Sequence, residues 1–157
     1  MAPKNQPKRY KEIRHTRAKH DYFIDDTLEC GIVLTGTEVK SLRAGLAQIN
    51  ESFVRFERGV PMLYHAHIAE YAFGNLANHK PVRPRKLLMH RKEITKWEHS
   101  VQAGGYTVIP LRMYFKKALV KVEIGLARGK KHYDKRETLK EREDLREAQR
   151  LVKHHLS

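Results

Sequence analysis

The stretch YTVIPLRMYFKKALVKVEIGL, residues 106–126, is rich in β-branched and aromatic residues before the pair Lys116-Lys117 and alternates apolar with polar side chains after it. Alternation with a period of two places successive side chains on opposite faces of a sheet, so this stretch predicts a β-hairpin turning at Lys116-Lys117. Ala118, Val120, Val122, Ile124 and Leu126 share one face, and Lys121 and Glu123 point to the other. A second hairpin is predicted upstream in SFVRFERGVPMLYHAHI, residues 52–68. There Val54 and Phe56 alternate with polar residues, Gly59 marks the turn, and Met62, Tyr64, Ala66 and Ile68 resume the alternation.

Working outward, HDYFIDDTLECGIVL, residues 20–34, is rich in β-branched and aromatic residues and predicts one long strand, or two joined near Asp25-Asp26. Thr35 and Glu38 have capping-box spacing and Gly45 stops the run that follows, so a short helix is predicted over residues 37–44, with Val39 and Leu42 as core contacts. Residues 71–84, rich in Gly, Asn and Pro, predict a long loop. Pro84 then suits the first turn of a helix ending at Gly104-Gly105. It would carry Leu87, Leu88, Ile94, Trp97 and Val101 on an apolar side and Arg85, Lys92 and Lys96 on the other. Five or six antiparallel strands with two helices and no βαβ alternation predict a mainly β fold: a small, closed or nearly closed β-barrel with added helices. The two hairpins share periodicity but not sequence, so no internal repeat is present.

Three segments are expected: a flexible basic N-terminal arm over residues 1–19, a barrel domain over 20–128, and a basic tail over 129–157. The whole chain of 157 residues holds 32 Lys and Arg against 18 Asp and Glu, an excess of 14 positive charges. Such a field attracts polyanions, and nucleic acid is the leading candidate. A membrane surface is the rival, but neither arm has the long apolar face a lipid-binding helix needs. The N-terminus lacks the apolar core of a secretory signal, so a cytoplasmic location and no membrane contact are expected. Cys30 is the single cysteine, which excludes an intrachain disulfide and a cysteine zinc cluster; in its apolar setting it reads as a packed thiol.

No motif carries catalysis. GLARGKK, residues 125–131, has three residues between its glycines where a phosphate-binding loop has four, and it ends a strand instead of opening a helix. Gly129 reads better as a hinge. His65 and His67 share a strand face, but a third ligand such as His79 or His90 would have to come from elsewhere in the chain, so no metal is expected. Asp25, Asp26 and Glu29 offer an acid and a base without a substrate pocket, and no cofactor is implied. Cations interleaved with rings are the stronger signal: Arg17, Lys19, His20 and Tyr22, then Arg112, Tyr114, Lys116 and Lys117, then Lys130, Lys131, His132 and Tyr133. That mixture suits RNA, with cations on phosphates and rings on unstacked bases. In the tail, Glu143/Arg146 and Glu147/Arg150 have helical spacing, and Leu145, Ala148, Val152 and Leu156 form a thin apolar line. A helix of that kind is marginal alone, so the tail is expected to be mostly unstructured when free and helical in a groove with phosphate walls.

The strings HDYFI, ECGIVLTGTEVKSLRAG, RKLL, GYTVIPL, KVEIGLARGKK and DKRETLKER closely resemble the small protein B family, the SsrA-binding partners of transfer-messenger RNA, from about residue 17 to 151. The resemblance implies an OB-like antiparallel β-barrel with two or three helices and a basic C-terminal tail. It further implies a non-enzymatic, monomeric adaptor of trans-translation. Such an adaptor binds the tRNA-like domain of transfer-messenger RNA, meets elongation factor Tu indirectly through the charged RNA, and enters the vacant A site of a stalled ribosome. Its partners there are both the 30S and 50S subunits and their ribosomal RNA. By motif match Tyr22, Glu29, Leu88 and Lys121 engage the transfer-messenger RNA, beside the cationic group Arg17, Lys19 and His20; Leu88 reads equally as helix core. Gly129, Lys130 and Lys131 would start the tail, and Tyr133, Asp134, Lys135 and Arg136 would read the decoding centre before a helix enters the messenger channel. Some members have histidine where this chain has Tyr133, which stacks without a titratable imidazole. Some also carry a tail tryptophan, whose apolar contact is expected here from Leu151 and Val152. Two other readings stay open: a structural ribosomal protein, and an RNA-modifying enzyme using Asp25 or Glu29.

Overall fold

In chain order the elements are β1 (Ile13–Arg14), α1 (Ala18–Asp21), β2 (Tyr22–Ile32), α2 (Gly36–Arg43), β3 (Ala47–Gln48), β4 (Phe53–Glu57), β5 (Val60–Tyr64), β6 (His67–Ile68), β7 (Arg85–Leu88), α3 (Arg91–Gln102), β8 (Thr107–Lys116), β9 (Leu119–Gly129) and α4 (His132–Leu156). The protein is seen as a computed structural model that describes residues 10–74 and 77–156, side chains at 132–134 and 154–156 excepted. The opening stretch forms β8 and β9, paired from Thr107↔Ala127 to Lys116↔Leu119. The turn falls on Lys117-Ala118, one residue later than expected, because Lys117 takes the left-handed φ of 57°. The upstream hairpin turns through Arg58 and Gly59, both at positive φ (51° and 76°), as a two-residue hairpin turn requires.

Strand β9 pairs on its other edge with β2 from Tyr22 to Gly31. β2 is one strand, with its register shift between Ile24 and Asp26, so the irregularity expected at Asp25-Asp26 is a bulge within it. The main sheet has seven strands in the order β1-β8-β4-β5-β7-β2-β9, and the β8–β9 pairing closes six of them into a ring. The closure is uneven: β4 meets β8 at the single pair Val54↔Val108, and β7 meets β2 and β5 at two pairs each. The fold is therefore mainly antiparallel β and OB-like, with an irregular barrel and four helices. A two-stranded sheet, β3 with β6, stands beside it.

Leu63, Leu87, Val108, Met113, Val122 and Ile124 fill the interior, with Trp97 of α3 and Leu42 of α2 packed onto them. Val39 is only half-buried. A smaller apolar cluster of Ala18, Ile109 and Ala127 lies beside Tyr22 and Ile24. Ile13 pairs with Met113 and is buried, so the part of the expected N-terminal arm from Ile13 onward joins the fold. Residues 1–9 lie outside the described residues.

Two expectations fail for physical reasons. The helix predicted from Pro84 begins only at Arg91; Arg85–Leu88 is a strand, because β2 and β5 supply hydrogen-bonding partners on both sides of it. Arg85, assigned to a solvated helix face, is fully buried, held by Glu38 and by the carbonyls of Ala66, Pro81 and Arg83. In the second hairpin Pro61 and Leu63 face inward in place of Met62 and Tyr64. The phase reverses at His65, whose φ of 63° breaks the alternation and lets Ala66 and Ile68 bury.

Cys30 is buried, donates its thiol hydrogen to the Val122 carbonyl, and is pushed up to about 12 by burial. The tail forms the 25-residue helix α4, roughly 37 Å at 1.5 Å per residue, the conformation expected of it in a groove with phosphate walls.

Candidate nucleic-acid interface

The registers of β7, β2, β9 and β8 place Leu88, Gly31, Lys121 and Tyr114 in one row across the sheet. Two residues along the strands, and so on the same outward face, a second row holds Glu29, Glu123 and Arg112. Tyr114 donates its hydroxyl hydrogen to the Glu29 carboxylate, and Lys116 Nζ donates to the same group at 3.2 Å. These two hydrogen bonds hold Glu29 below the usual carboxylate range, with Lys121 adding to the effect. Burial and the Glu29 carboxylate push the Tyr114 phenol up, so it stays a neutral donor. The Arg112 guanidinium lies over the Tyr114 ring at 4.2 Å and donates to Glu12 (2.8 Å) and Glu123 (3.2 Å). Lys121 makes no hydrogen bond or ion pair among the described residues. Leu88 is 53% exposed, which removes the helix-core reading and leaves an apolar contact facing outward.

A second basic cluster lies where the tail leaves the sheet. Tyr22 is half-buried beside Ala18, Ile109 and Ala127, opposite Gly129 on β9. It stands seven residues from Glu29 along β2, roughly 23 Å at about 3.3 Å per residue. Lys130 donates its backbone N–H to the Asp21 carbonyl (2.9 Å) and its Nζ to the Lys19 carbonyl (2.7 Å) and Thr138 Oγ1 (2.8 Å). The Asp21 carboxylate gathers His20 at 2.8 Å, Lys135 at 3.5 Å and Arg17 at 3.7 Å. Burial raises its carboxyl, but the His20 hydrogen bond and the charges of Arg17 and Lys135 outweigh that, and the net shift is downward. Lys130 and Arg128 also lie over the Phe23 ring, at 4.8 and 5.3 Å. Gly129 is not among the glycines at positive φ; it ends β9 as an ordinary strand residue, so glycine's extra freedom is not used there.

Asp25 is held below its usual range by hydrogen bonds from Arg128 and Tyr106, so it and Glu29 are ionised acceptors instead of proton donors. Among the described residues no three His, Cys, Asp or Glu side chains could hold a metal, and no helix is long and apolar enough to cross a membrane. The family model for SmpB protein matches residues 13–154. The chain belongs to the SmpB family. It is 52% identical over 140 residues to the SsrA-binding protein of Shouchella clausii, covering 89% of this chain and 90% of that one. The SsrA-binding protein of Kineococcus radiotolerans is 54% identical over 136 residues, 87% of each chain. A chain in a solved structure described as "tmRNA-SmpB: a journey to the center of the bacterial ribosome" is similar with a TM-score of 0.66 and 48% identity, over 77% of this chain and 85% of that chain.

Of the four SmpB residues matched by motif, the fold brings Glu29, Leu88 and Lys121 to one outward face and sets Tyr22 at the root of the tail. Arg17, Lys19 and His20 share that root, two of them engaged with Asp21. Lys131 and Arg136 are exposed, as are Leu151 and Val152, at 61% and 58%. The side chains of Tyr133 and Asp134 lie outside the described residues. Sequence reading placed Tyr114, Lys116 and Arg112 in a basic, aromatic group but missed their link to Glu29. The one available signal was parity, since the predicted turn places residues 112, 114, 116, 121 and 123 on the face opposite Val122 and Ile124.

Proposed function

We propose that this SmpB chain is a non-catalytic RNA-binding adaptor of trans-translation. It binds the tRNA-like domain of transfer-messenger RNA with the outward face of β7, β2, β9 and β8, and carries that RNA to the vacant A site of a stalled ribosome for tagging of the nascent peptide. The observation that carries this reading is the convergence, within an SmpB fold, of an apolar side chain, an unpaired cation and an oriented carboxylate: Leu88, Lys121 and Glu29. Lys121 meets a phosphate, Glu29 accepts from ribose or base donors, and Leu88 packs on a base or sugar. The relatives named above, which are SsrA-binding proteins, support the choice of RNA.

The tail is a separate instrument in this reading. Gly129, Lys130 and Lys131 lead into it, Tyr133, Asp134 and Arg136 meet the decoding centre, and Leu151 and Val152 give the apolar contact farther along the messenger channel. The later turns of α4 have only a thin apolar line and the i, i+3 spacing of Glu143/Arg146 and Glu147/Arg150 to support them, and the ribosome consolidates them. Elongation factor Tu is met through the charged RNA, and the chain works as a cytoplasmic monomer with no cofactor. Gel-shift titration with the tRNA-like domain tests the sheet assignment. Glu29→Ala and Lys121→Ala are each expected to weaken binding at unchanged melting temperature; unchanged affinity in both contradicts it.

A further inference from the structure

On the side of Leu88 away from Lys121, the sheet surface runs into a groove of about 600 Å³ between the β4–β5 turn and the first turns of α3. Arg58, Lys86 and Arg91 line it with a single acid, Glu98, and Leu88 and Ile94 form its apolar wall. Lys86 is two residues before Leu88 on β7, so both point outward, and both are exposed. The three cationic heads have no hydrogen bond or ion pair among the described residues.

Two of these cations sit where local stability disfavours them. Arg58 holds a φ of 51°, a backbone conformation that a long side chain takes at a cost. Arg91 is the first residue of α3, and the positive end of the helix dipole repels it. Three positive charges on one groove with Glu98 as its one lining acid raise the local potential, and bringing an anion into the groove lowers it. The apolar wall is continuous through Leu88 with the row that contains Lys121, so whatever lies on that row is led into the groove.

We propose that this groove binds a phosphodiester segment of the same RNA, with phosphates on Arg58, Lys86 and Arg91 and a base or ribose against Leu88 and Ile94. The inference rests on the RNA-binding reading of the sheet and extends its footprint across β7 to α3. Leu88 then stands at the middle of the footprint, between the groove and Lys121, instead of at its edge.

The test uses the full chain, the isolated tRNA-like domain of transfer-messenger RNA, and affinities measured over a range of salt. The triple variant Arg58→Gln, Lys86→Gln, Arg91→Gln is expected to lose affinity by about tenfold or more near 0.1 M salt, with a log–log salt slope shallower by about two, as loss of about three phosphate contacts implies. Lys80→Gln, Lys92→Gln, Lys96→Gln removes the same charge outside the groove; it is expected to change affinity less than about threefold and to leave the slope alone. Equal effects of the two triples, or no effect of the first, overturn the groove. If Glu29→Ala and Lys121→Ala weaken binding while the first triple does not, the groove fails and the sheet reading stands; if neither set matters, the sheet reading has failed. Arg58→Gly guards against misfolding, since glycine accepts a φ of 51° without strain. It is expected to bind RNA more weakly at an unchanged or higher melting temperature, and unchanged affinity contradicts the part given to Arg58.

Discussion

Leu88 and Lys121 stand in one row across the sheet with only Gly31 between them. A Cβ built on Gly31 would lie 3.2 Å from Leu88 Cβ and 3.3 Å from Leu88 Cδ1, so the leucine leans over the glycine toward the lysine. The two residues are brought together by β2, which pairs with β7 on one edge and β9 on the other. Their proximity belongs to the sheet and not to any local motif.

Gly31→Val fills the space that Leu88 occupies and pushes that exposed side chain outward. The tip of Leu88 can swing away, but its Cβ is fixed to β7 and the two strands must shift, so stability is expected to fall by about 1–3 kcal/mol. Affinity for the tRNA-like domain is expected to fall by about fivefold, equivalent to about 1 kcal/mol of displaced apolar contact. Melting curves and gel shifts of the same preparation check both halves.

Tyr114→Phe removes the hydroxyl that orients Glu29 and keeps the ring under Arg112. The expected cost is about two- to tenfold in RNA affinity, the worth of about one hydrogen bond of 0.5–1.5 kcal/mol. The pH dependence has a definite sign. Glu29 is held below its ordinary value of 4.5, so its carboxylate is ionised throughout pH 5–8 and is lost only as pH falls through the lowered value. Fluorescence anisotropy is therefore expected to find no carboxylate step in binding between pH 5 and 8.

Glu38 and Arg85, both fully buried, form an ion pair in the interior, joined by Arg83. Removing the acid strands Arg85, so Glu38→Ala is expected to cost about 3–5 kcal/mol of stability, read from denaturant melts. Burial raises the Glu38 carboxyl, but hydrogen bonds from Arg83, the Thr35 backbone and Arg85 outweigh it and lower it below its usual 4.5. Its contribution is thus complete above pH 4.5 and lost as pH falls through the lowered value. Wild-type melting temperature is expected to drop on acidification below that point, with a shallower drop in Glu38→Gln.

Asp21 and Lys135 tie the first turn of α4 to α1. On the proposed reading Lys135 belongs to the decoding-centre segment; its position beside Asp21 points to a hold on the tail's direction as well. Asp21→Lys is expected to leave binding of the tRNA-like domain within about threefold, since a half-exposed pair is worth about 0.2–1 kcal/mol, and to reduce peptide tagging in reconstituted translation by about two- to fivefold. Adding Lys135→Asp restores the pair with reversed polarity and is expected to recover tagging.

The two long hairpins were legible because their strands are adjacent in sequence; in the β8–β9 hairpin the alternation also carried the face assignment, as at Val122 and Ile124 against Lys121 and Glu123, whereas in β5 it put Met62 and Tyr64 on the wrong face. The capping box of α2 was legible because Thr35 and Glu38 are three residues apart, and the Thr35 N–H does donate to Glu38 at 2.9 Å. What stayed hidden depends on distant partners. Arg85–Leu88 is a strand only because β2 and β5 flank it, and a short apolar run after a proline fits a helix start equally well. Burial of Arg85 required Glu38, forty-seven residues away. The reversal at His65 rests on one backbone angle that no composition rule forecasts. At the site, Glu29, Leu88 and Lys121 came from motif match, whereas their union with Tyr114 and Arg112 needed the register of four strands.

The division of labour between sheet and tail is tested most directly by measuring transfer-messenger RNA affinity and peptide tagging side by side for the chain ending at Lys131. Tagging is expected to disappear while affinity for the tRNA-like domain stays within about threefold of the full chain, because the row of Leu88, Lys121 and Glu29 is intact. Loss of RNA binding together with tagging would contradict the account, by showing that the helix and not the sheet holds the RNA.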